Sequence, residues 1–576
     1  MMMSRIARLV VVGTAMTLLG CGVDAQNSRF ETLALEYVED LLAMNPEVAT
    51  ALGDHRYDHR LNDYTLGGVQ RNLEREREFR DRLAEIDVAQ LDDVNAIDYR
   101  ILQARIESSI FAIEDLREHE WNPLQYNVGG AIYALLARDF APLEERLRDV
   151  KERLEALPAV LEAAKTNLRN PPAIHTETAI LQNAGTLSLV GEDLNGFLEL
   201  APTMRQQIEP AQRAAIEALQ AFGEWLESDL LPRSNGDFRL GGQKFRAKLA
   251  HTLDSDLSME DILARAERSL TETQNAIYET ALPLYREYVP DATVAQSRDR
   301  KLVIQTVLDE LAEDRPTDRT IVDQARAGLE ETTQFVREQG LVSLPDESVE
   351  IIVMPEFQRG VAIAYCDSPG PLEQDGETFY AISPTPDDWS VERTESFYRE
   401  YNDYMLKNLT VHEAMPGHYL QIAHANKFQA PTMVRAIFSS GSFVEGWAHY
   451  AEQLMTEHGY GGPEVKIQQL KMQLRSIINV ILDQQIHTAG MTEREAMNLM
   501  MNEGFQEEGE AAGKWRRAAL TSTQLSTYFV GYSEVVDIRN AYAAEHGEIT
   551  DWLAFHDEML SFGSPPAKYV KLAMGL

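Results

Sequence analysis

From about Asn27 to Pro232 the apolar residues recur at every third or fourth position, and that spacing limits the backbone to helix. In APLEERLRDVKERLEALPAVLEAA, Leu143, Leu147, Val150, Leu154, Leu157 and Leu161 share one side of a 3.6-residue repeat, with the charges on the other. VQRNLEREREFRDRLAEI and PAQRAAIEALQAFGEWLESDLL repeat the pattern. Stripes of this kind must be buried against one another, so the expected fold is mainly α, a large assembly of helices on helices. Pro158 lacks an N–H for the helical ladder and is expected to kink or divide its helix. No fixed-period repeat calls for a solenoid.

LLPRSNGDFRLGGQKF, at about 230–245, gathers proline and glycine between helical runs and is the expected joint. It separates an N-terminal helical region, 22–235, from a C-terminal one, 236–576; the two are expected to form one integrated domain of about 28–573. Beyond it, Ser258 with Asp261 and Thr492 with Glu495 have the spacing of helix-opening capping pairs. The helical pattern lapses at 349–384, where VEIIVMP, VAIAYCDSPG and TFYAISP read as a small strand or hairpin unit. It is either a structural sheet or an edge on which an extended peptide pairs, with Tyr365 and Tyr380 as candidates to line the groove.

Residues 1–21 have the form of a targeting segment: Arg5 and Arg8, the short apolar run LVVVGTAMTLL, then Leu18-Leu19-Gly20-Cys21, which resembles a lipobox. Cleavage before Cys21 and acylation of that residue are expected; the alternative is an uncleaved anchor or an ordinary secretory signal. Gly22 after the cysteine, by resemblance to Gram-negative lipoproteins, points to the outer membrane facing the periplasm. Cys366 is then left without an internal partner, so no disulfide is expected, and its apolar surroundings suggest a buried, inert thiol. Fifty-three basic against ninety-two acidic side chains give a net charge of −39. That balance argues against nucleic acid or anionic lipid surfaces as partners, leaving the lipid as the only membrane contact.

The chemistry concentrates between His412 and Glu452, in VHEAMPGHYLQ and GSFVEGWAHYAEQ. Two histidines and a glutamate suit a catalytic zinc ion with one coordination position open, and His412, His418 and Glu445 are the candidate ligands, one ion per chain. Glu413 beside them is the candidate general base. The familiar spacing is H-E-x-x-H, four residues apart on one helical face, but here position 416 is proline and the second histidine is at 418. Six steps of a regular helix turn roughly 240° and point the two rings apart. Pro416-Gly417 should break, widen or kink the helix, and a local bulge would bring His418 back. Glu445, His449 and Glu452 lie at i, i+4 and i+7 on one face, with His449 placed to brace a ligand. The same donors also accept manganese, cobalt or iron.

VHEAMPGHYLQ followed by SFVEGWAHYAE resembles the bacterial family called domain of unknown function 885, with its HExxPGHxxQ and EGWAxYxE patterns. Arg475, Asp483 and His487 in LRSIINVILDQQIH, and Gln524, Tyr528, Gly531 and Arg539 in QLSTYFVGYSEVVDIR, extend the resemblance over nearly the whole mature chain. Thr523 departs from it, standing where a proline is expected. The resemblance implies a two-lobed helical fold with a central cleft and a small β element, similar to the thimet-oligopeptidase and angiotensin-converting-enzyme type of gluzincin.

The expected activity is zinc-dependent hydrolysis of a peptide or peptide-like substrate, carboxypeptidase or oligopeptidase-like. Tyr528 and His487 are the candidate oxyanion donors, and Asp483, one turn before His487, is placed to orient it. Arg475 or Arg539 would grip a substrate carboxylate, or each is a structural ion pair. Two alternatives stand beside this: a noncatalytic helical lipoprotein scaffold with a vestigial metal site, and a metallohydrolase of a nonpeptide amide or ester. Structural zinc sites are closed by four ligands and usually use cysteine, and Glu413 would have no use in one.

Overall fold

The computed structural model describes residues 3–354, 363–373, 376–386 and 389–576, with side chains from Asp24 onward; the Cys21 side chain and part of VAIAYCDSPG lie outside the described residues. Helix makes up 73% of the chain and strand 3%, so the fold is mainly α with one small sheet. The chain divides into two compact units, with the main change at Ser234 and Asn235 and two short segments exchanged. The first holds Met1–Pro171, Thr176–Ser234 and Gln429–Phe438; the second holds Pro172–His175, Asn235–Phe428 and Ser439–Leu576.

In the first unit the helix Leu143–Asn167 buries Leu147, Val150, Leu154, Leu157 and Leu161, with Leu143 partly buried at the edge. They pack with Ile208, Ala215, Leu219 and Phe222 of the helix Pro202–Trp225. Pro158 lies inside the first of these helices without dividing it. The lost bond and ring clash cost about 3 kcal/mol. Each buried leucine on the turns around it stabilises the packed helix by about 1.5–3 kcal/mol, so Leu154, Leu157 and Leu161 together outweigh that cost. The segment Gln429–Phe438 is fastened into this unit by charge. The Arg435 guanidinium and the Thr432 hydroxyl both donate to the Asp98 carboxylate, and all three side chains are buried.

In the second unit, strands β1 (Val349–Val353), β2 (Ala364–Asp367) and β3 (Thr378–Ile382) form a sheet with β3 in the middle, parallel to β1 and antiparallel to β2. Tyr380, a sequence candidate for lining a groove, is instead a core residue: it is fully buried, and its hydroxyl lies 3.4 Å from that of Thr410. Tyr365, on β2, is partly buried. Cys366 is also partly buried rather than enclosed, with its sulfur 3.6 Å from the Ser368 hydroxyl. Both expected capping boxes form, Ser258 with Asp261 and Thr492 with Glu495.

Two helices of this unit cross with their backbones in contact, Gly441–Glu457 and Ser526–His546. A Cβ on Gly446 would lie 2.2 Å from the Gly531 carbonyl carbon, and one on Gly531 would lie 1.7 Å from the Ser442 oxygen. Only glycine permits that approach, and it sets Glu445 and Tyr528 at the same crossing.

The second of these helices also carries Glu534, whose carboxyl accepts a hydrogen bond from Ser255 at 2.6 Å. Burial, with the Asp537 and Asp256 charges adding to it, pushes this carboxyl from 4.5 up to about 7 despite the hydrogen bond and Lys568. Between those pH values the native state keeps a proton that the unfolded chain has released, so this group lowers stability as pH rises through the window. Glu534→Gln is expected to stabilise the fold by about 2 kcal/mol at pH 8, after allowance for its partial exposure, and by little near pH 4.5. Thermal unfolding of parent and variant at the two pH values measures the difference.

Candidate metal centre

The helix Asp403–Glu413 starts at Asn402, whose side chain accepts the N–H groups of Tyr404 and Met405. It stops at Glu413, the backbone turns through residues 414–417, and a new helix, His418–Ala425, begins on the second histidine. A Cβ on Gly417 would sit 1.8 Å from the His412 carbonyl oxygen, so the turn is tight enough to require glycine. The Trp447 indole N–H donates to the Pro416 carbonyl at 2.8 Å and fixes the turn from the Gly441–Glu457 helix. The expected bulge is therefore a full break, and the 240° argument does not apply across it. The His412 and His418 rings meet edge to face, with centroids 4.7 Å apart.

Glu445 completes the group. Its Oε2 lies 3.5 Å from His412 Nε2 and 3.6 Å from His418 Nε2. Ligands bound at about 2.0–2.1 Å in tetrahedral directions stand roughly 3.3 Å from one another, close to this spacing. Glu445 Oε2 is buried and makes no hydrogen bond of good geometry, and neither does His418 Nδ1. Glu452, 1% exposed, accepts from His412 Nδ1 at 2.7 Å and from His449 Nδ1 at 2.9 Å, and its other oxygen accepts from Asn408 at 2.7 Å. Fixing the proton on Nδ1 leaves the Nε2 lone pair of His412 toward Glu445.

Burial works against a charge on His412, yet the carboxylates of Glu445, Glu452 and Glu413 outweigh it and hold its proton affinity well above the ordinary imidazole range. Burial likewise opposes ionisation of Glu445, but the two imidazoles hold its carboxyl far below the usual range. The pocket thus favours positive charge at its centre, and a divalent cation would take the place of the proton. Glu452→Gln should weaken metal binding by about 10–100-fold with all three ligands intact, measured by competition with a chromophoric chelator.

Two further groups face the donors. Glu413 is 8% exposed, and among the described residues no hydrogen bond or ion pair engages its carboxylate. The Tyr528 ring packs edge to face on His449 at 5.9 Å, and its hydroxyl oxygen accepts from Arg517 at 2.6 Å and Gln524 at 3.2 Å. Burial, then the Glu445 charge, raises this phenol above its ordinary range, so it stays a donor.

The model of a family described as a bacterial protein of unknown function, DUF885, matches residues 46–574. The chain belongs to the DUF885 family. Two solved structures resemble this DUF885 chain closely in fold. A protein from Shewanella oneidensis is 32% identical with a TM-score of 0.81, covering 95% of this chain and 100% of its own. One from Colwellia psychrerythraea is 18% identical with a TM-score of 0.78, covering 96% and 98%. Each is described as a "putative lipoprotein", the first as one "of unknown function". No curated protein matches the chain. No described helix of this DUF885 member is long and apolar enough to cross a membrane.

The remaining sequence candidates of the DUF885 chain are engaged otherwise. His487 is buried against Phe245, and its Nε2 is bound to the carbonyls of Ala518 and Thr521, 3.1 and 2.9 Å away. Burial pushes it down to about 4, which leaves it neutral. Asp483 does not orient it; the carboxylate accepts from the Thr523 and Ser526 N–H groups and the Ser526 hydroxyl. The reason is local: the helix Gly462–Gln484 widens to a π turn at Gln485–Ala489, which breaks the four-residue alignment of Asp483 with His487. Thr523 sits at φ +65°, a conformation that proline cannot adopt, and its N–H donates to the Asp483 carboxylate at 2.9 Å. Arg475 is buried in an ion pair with Glu400, and Arg539 donates to Glu457 at 2.8 Å over the Trp552 ring, so both are structural pairs.

Glu452, not His449, is the residue that braces His412; His449 reaches it only through the shared Glu452 carboxylate, and the sequence assigned no role to Glu452, Asn408, Trp447 or Arg517. Asn408 stands one turn before His412, a spacing that could have revealed it; Arg517 left no pattern.

Proposed function

We propose that this chain is a zinc-dependent hydrolase of peptide or peptide-like amide bonds, carried by an N-terminal lipid on Cys21 at the periplasmic side of the outer membrane. The reading rests above all on one observation: three ligand atoms, from His412, His418 and Glu445, lie within 4.8 Å of one another with an unengaged carboxylate, Glu413, beside them. Zinc held there would polarise a substrate carbonyl and acidify a water molecule. Glu413 takes the proton from the attacking water and delivers it to the leaving amine. Tyr528, kept protonated, donates to the oxygen on which negative charge develops. Glu452 and Asn408 hold His412 in the orientation that ligation needs. The lipid anchor rests on the lipobox and on the description of the Shewanella oneidensis relative.

The test is metal analysis of the soluble chain from residue 22 onward, with a panel of short peptides assayed for free amine. About one zinc per chain is expected, with hydrolysis that a chelator removes and added zinc restores. A chain that takes up no divalent metal from zinc solution would overturn the reading.

A further inference from the structure

Arg517 lies on the helix Glu508–Leu520 and is exposed, in a chain where acidic side chains outnumber basic ones by ninety-two to fifty-three. Comparable arginines find carboxylates: Arg265 pairs with Asp537 at 2.7 Å and Arg399 with Asp309 at 2.7 Å. Among the described residues Arg517 pairs with none. Its Nη2 donates to the neutral oxygens of Gln524, at 2.9 Å, and Tyr528, at 2.6 Å, which leaves Nη1 and Nε for another acceptor. Tyr528 links it to the metal group, since that ring rests on His449, which shares the Glu452 carboxylate with His412, and feels the Glu445 charge.

One turn earlier on the same helix is Lys514, 8% exposed, with its ammonium 3.7 Å from Glu510. Glu510 also receives the Tyr401 hydroxyl at 3.2 Å and lies 3.9 Å from Arg475, whose guanidinium is bound to Glu400 together with Lys471. Burial, with the Arg475 and Arg517 charges adding to it, pushes Lys514 down to about 8 although Glu510 pulls it up. Among the described residues the ion pairs of Arg475, Lys471 and Lys514 run to two carboxylates, Glu400 and Glu510, and Arg517 pairs with neither. The wall beyond Tyr528 therefore carries an excess of positive charge in a strongly acidic molecule.

We infer that Arg517, backed by Lys514, binds a carboxylate of the substrate beside the metal group, so that the site selects peptides bearing a free carboxylate at the end that passes Tyr528. The inference rests on the hydrolase reading for the identity of its ligand as a peptide. With both Nη2 hydrogens engaged, the Nε–H and Nη1–H groups remain to donate singly to a carboxylate, and the cations behind Arg517 favour an anion there in an otherwise acidic molecule. The carboxylate is either the peptide's C-terminus or an acidic side chain at its last residue.

The experiment is calorimetric binding without turnover, using the zinc-loaded soluble chain in the Glu413→Gln background. Three probes are titrated: N-acetyl-trialanine, its C-terminal amide, and the amide with glutamate as the last residue. The free acid, or the glutamate amide, should bind about 30-fold more tightly than the plain amide, the size of one charged hydrogen-bonded pair. Arg517→Gln should bring that ratio to within about threefold, and Arg517→Lys should keep part of it. A role confined to positioning Tyr528 would weaken all three probes equally, as Tyr528→Phe would, and leave the ratio unchanged. Equal binding of acid and amide by the parent, or a ratio that survives Arg517→Gln, overturns the inference. The two readings fail separately: preference for the acid in a chain that never releases amine removes the hydrolase and keeps the anion subsite, whereas turnover with no preference does the reverse.

Discussion

Glu413→Gln is expected to leave one metal ion per chain and to lower kcat for peptide hydrolysis by about a thousandfold. The substitution keeps the shape of the side chain and removes only its ability to accept a proton. Glu413 is the last residue of its helix, buried beside His412, and no described residue competes for its carboxylate. A carboxylate that binds no described residue holds no part of the fold together, which makes a purely structural role a poor explanation for it. Metal analysis and steady-state kinetics on the same preparation check the prediction. Full activity in the variant would remove Glu413 from the mechanism, and loss of metal would mean that it ligates instead.

His418→Ala and Glu445→Ala should each abolish retention of metal through dialysis, leaving less than about a tenth of an equivalent. Three protein ligands are the fewest that hold a hydrolytic zinc ion, and the two that remain would be ordinary surface donors in strength. Stability gives a second readout. A ligand present at about a thousand times its Kd stabilises the native state by about 4 kcal/mol, so zinc should raise the Tm of the parent and leave both variants unmoved. The effect should fade as pH falls, because His412, with its proton affinity raised by Glu445 and Glu452, must release a proton to ligate. Zinc-dependent shifts of Tm in parent and variants across pH test the whole argument.

How far the fold could be read in advance differed from place to place for physical reasons. The stripe from Leu143 to Leu161 was legible because a helix face is a local repeat, and burial followed it. Pro158 misled in one respect, because the cost of a missing N–H is local whereas the leucines that override it act through a neighbouring helix. The residue types of the donor group were legible, but the approach of His412 to His418 was not. It depends on how Ala414 to Gly417 turn and on Trp447 reaching Pro416, and neither is written in the spacing. Asp483 and His487 failed as a pair because a π turn intervenes, which no periodicity announces. Arg517 left no trace, since its meaning lies in the carboxylate that it lacks.

Between His418 and Glu445 the chain leaves the unit that carries both, contributes Gln429–Phe438 to the other, and returns. Arg435 in that detour depends on Asp98, which lies more than three hundred residues earlier. A fragment beginning at Asn235 would hold every donor residue and yet carry an arginine that has lost its carboxylate, a defect of about 3–5 kcal/mol for a buried pair. The half with the donors is thus no portable cassette. Recombination at the joint near residue 235 would part it from the far end of one of its own connections, and lineages that carry this chemistry should inherit the two halves together.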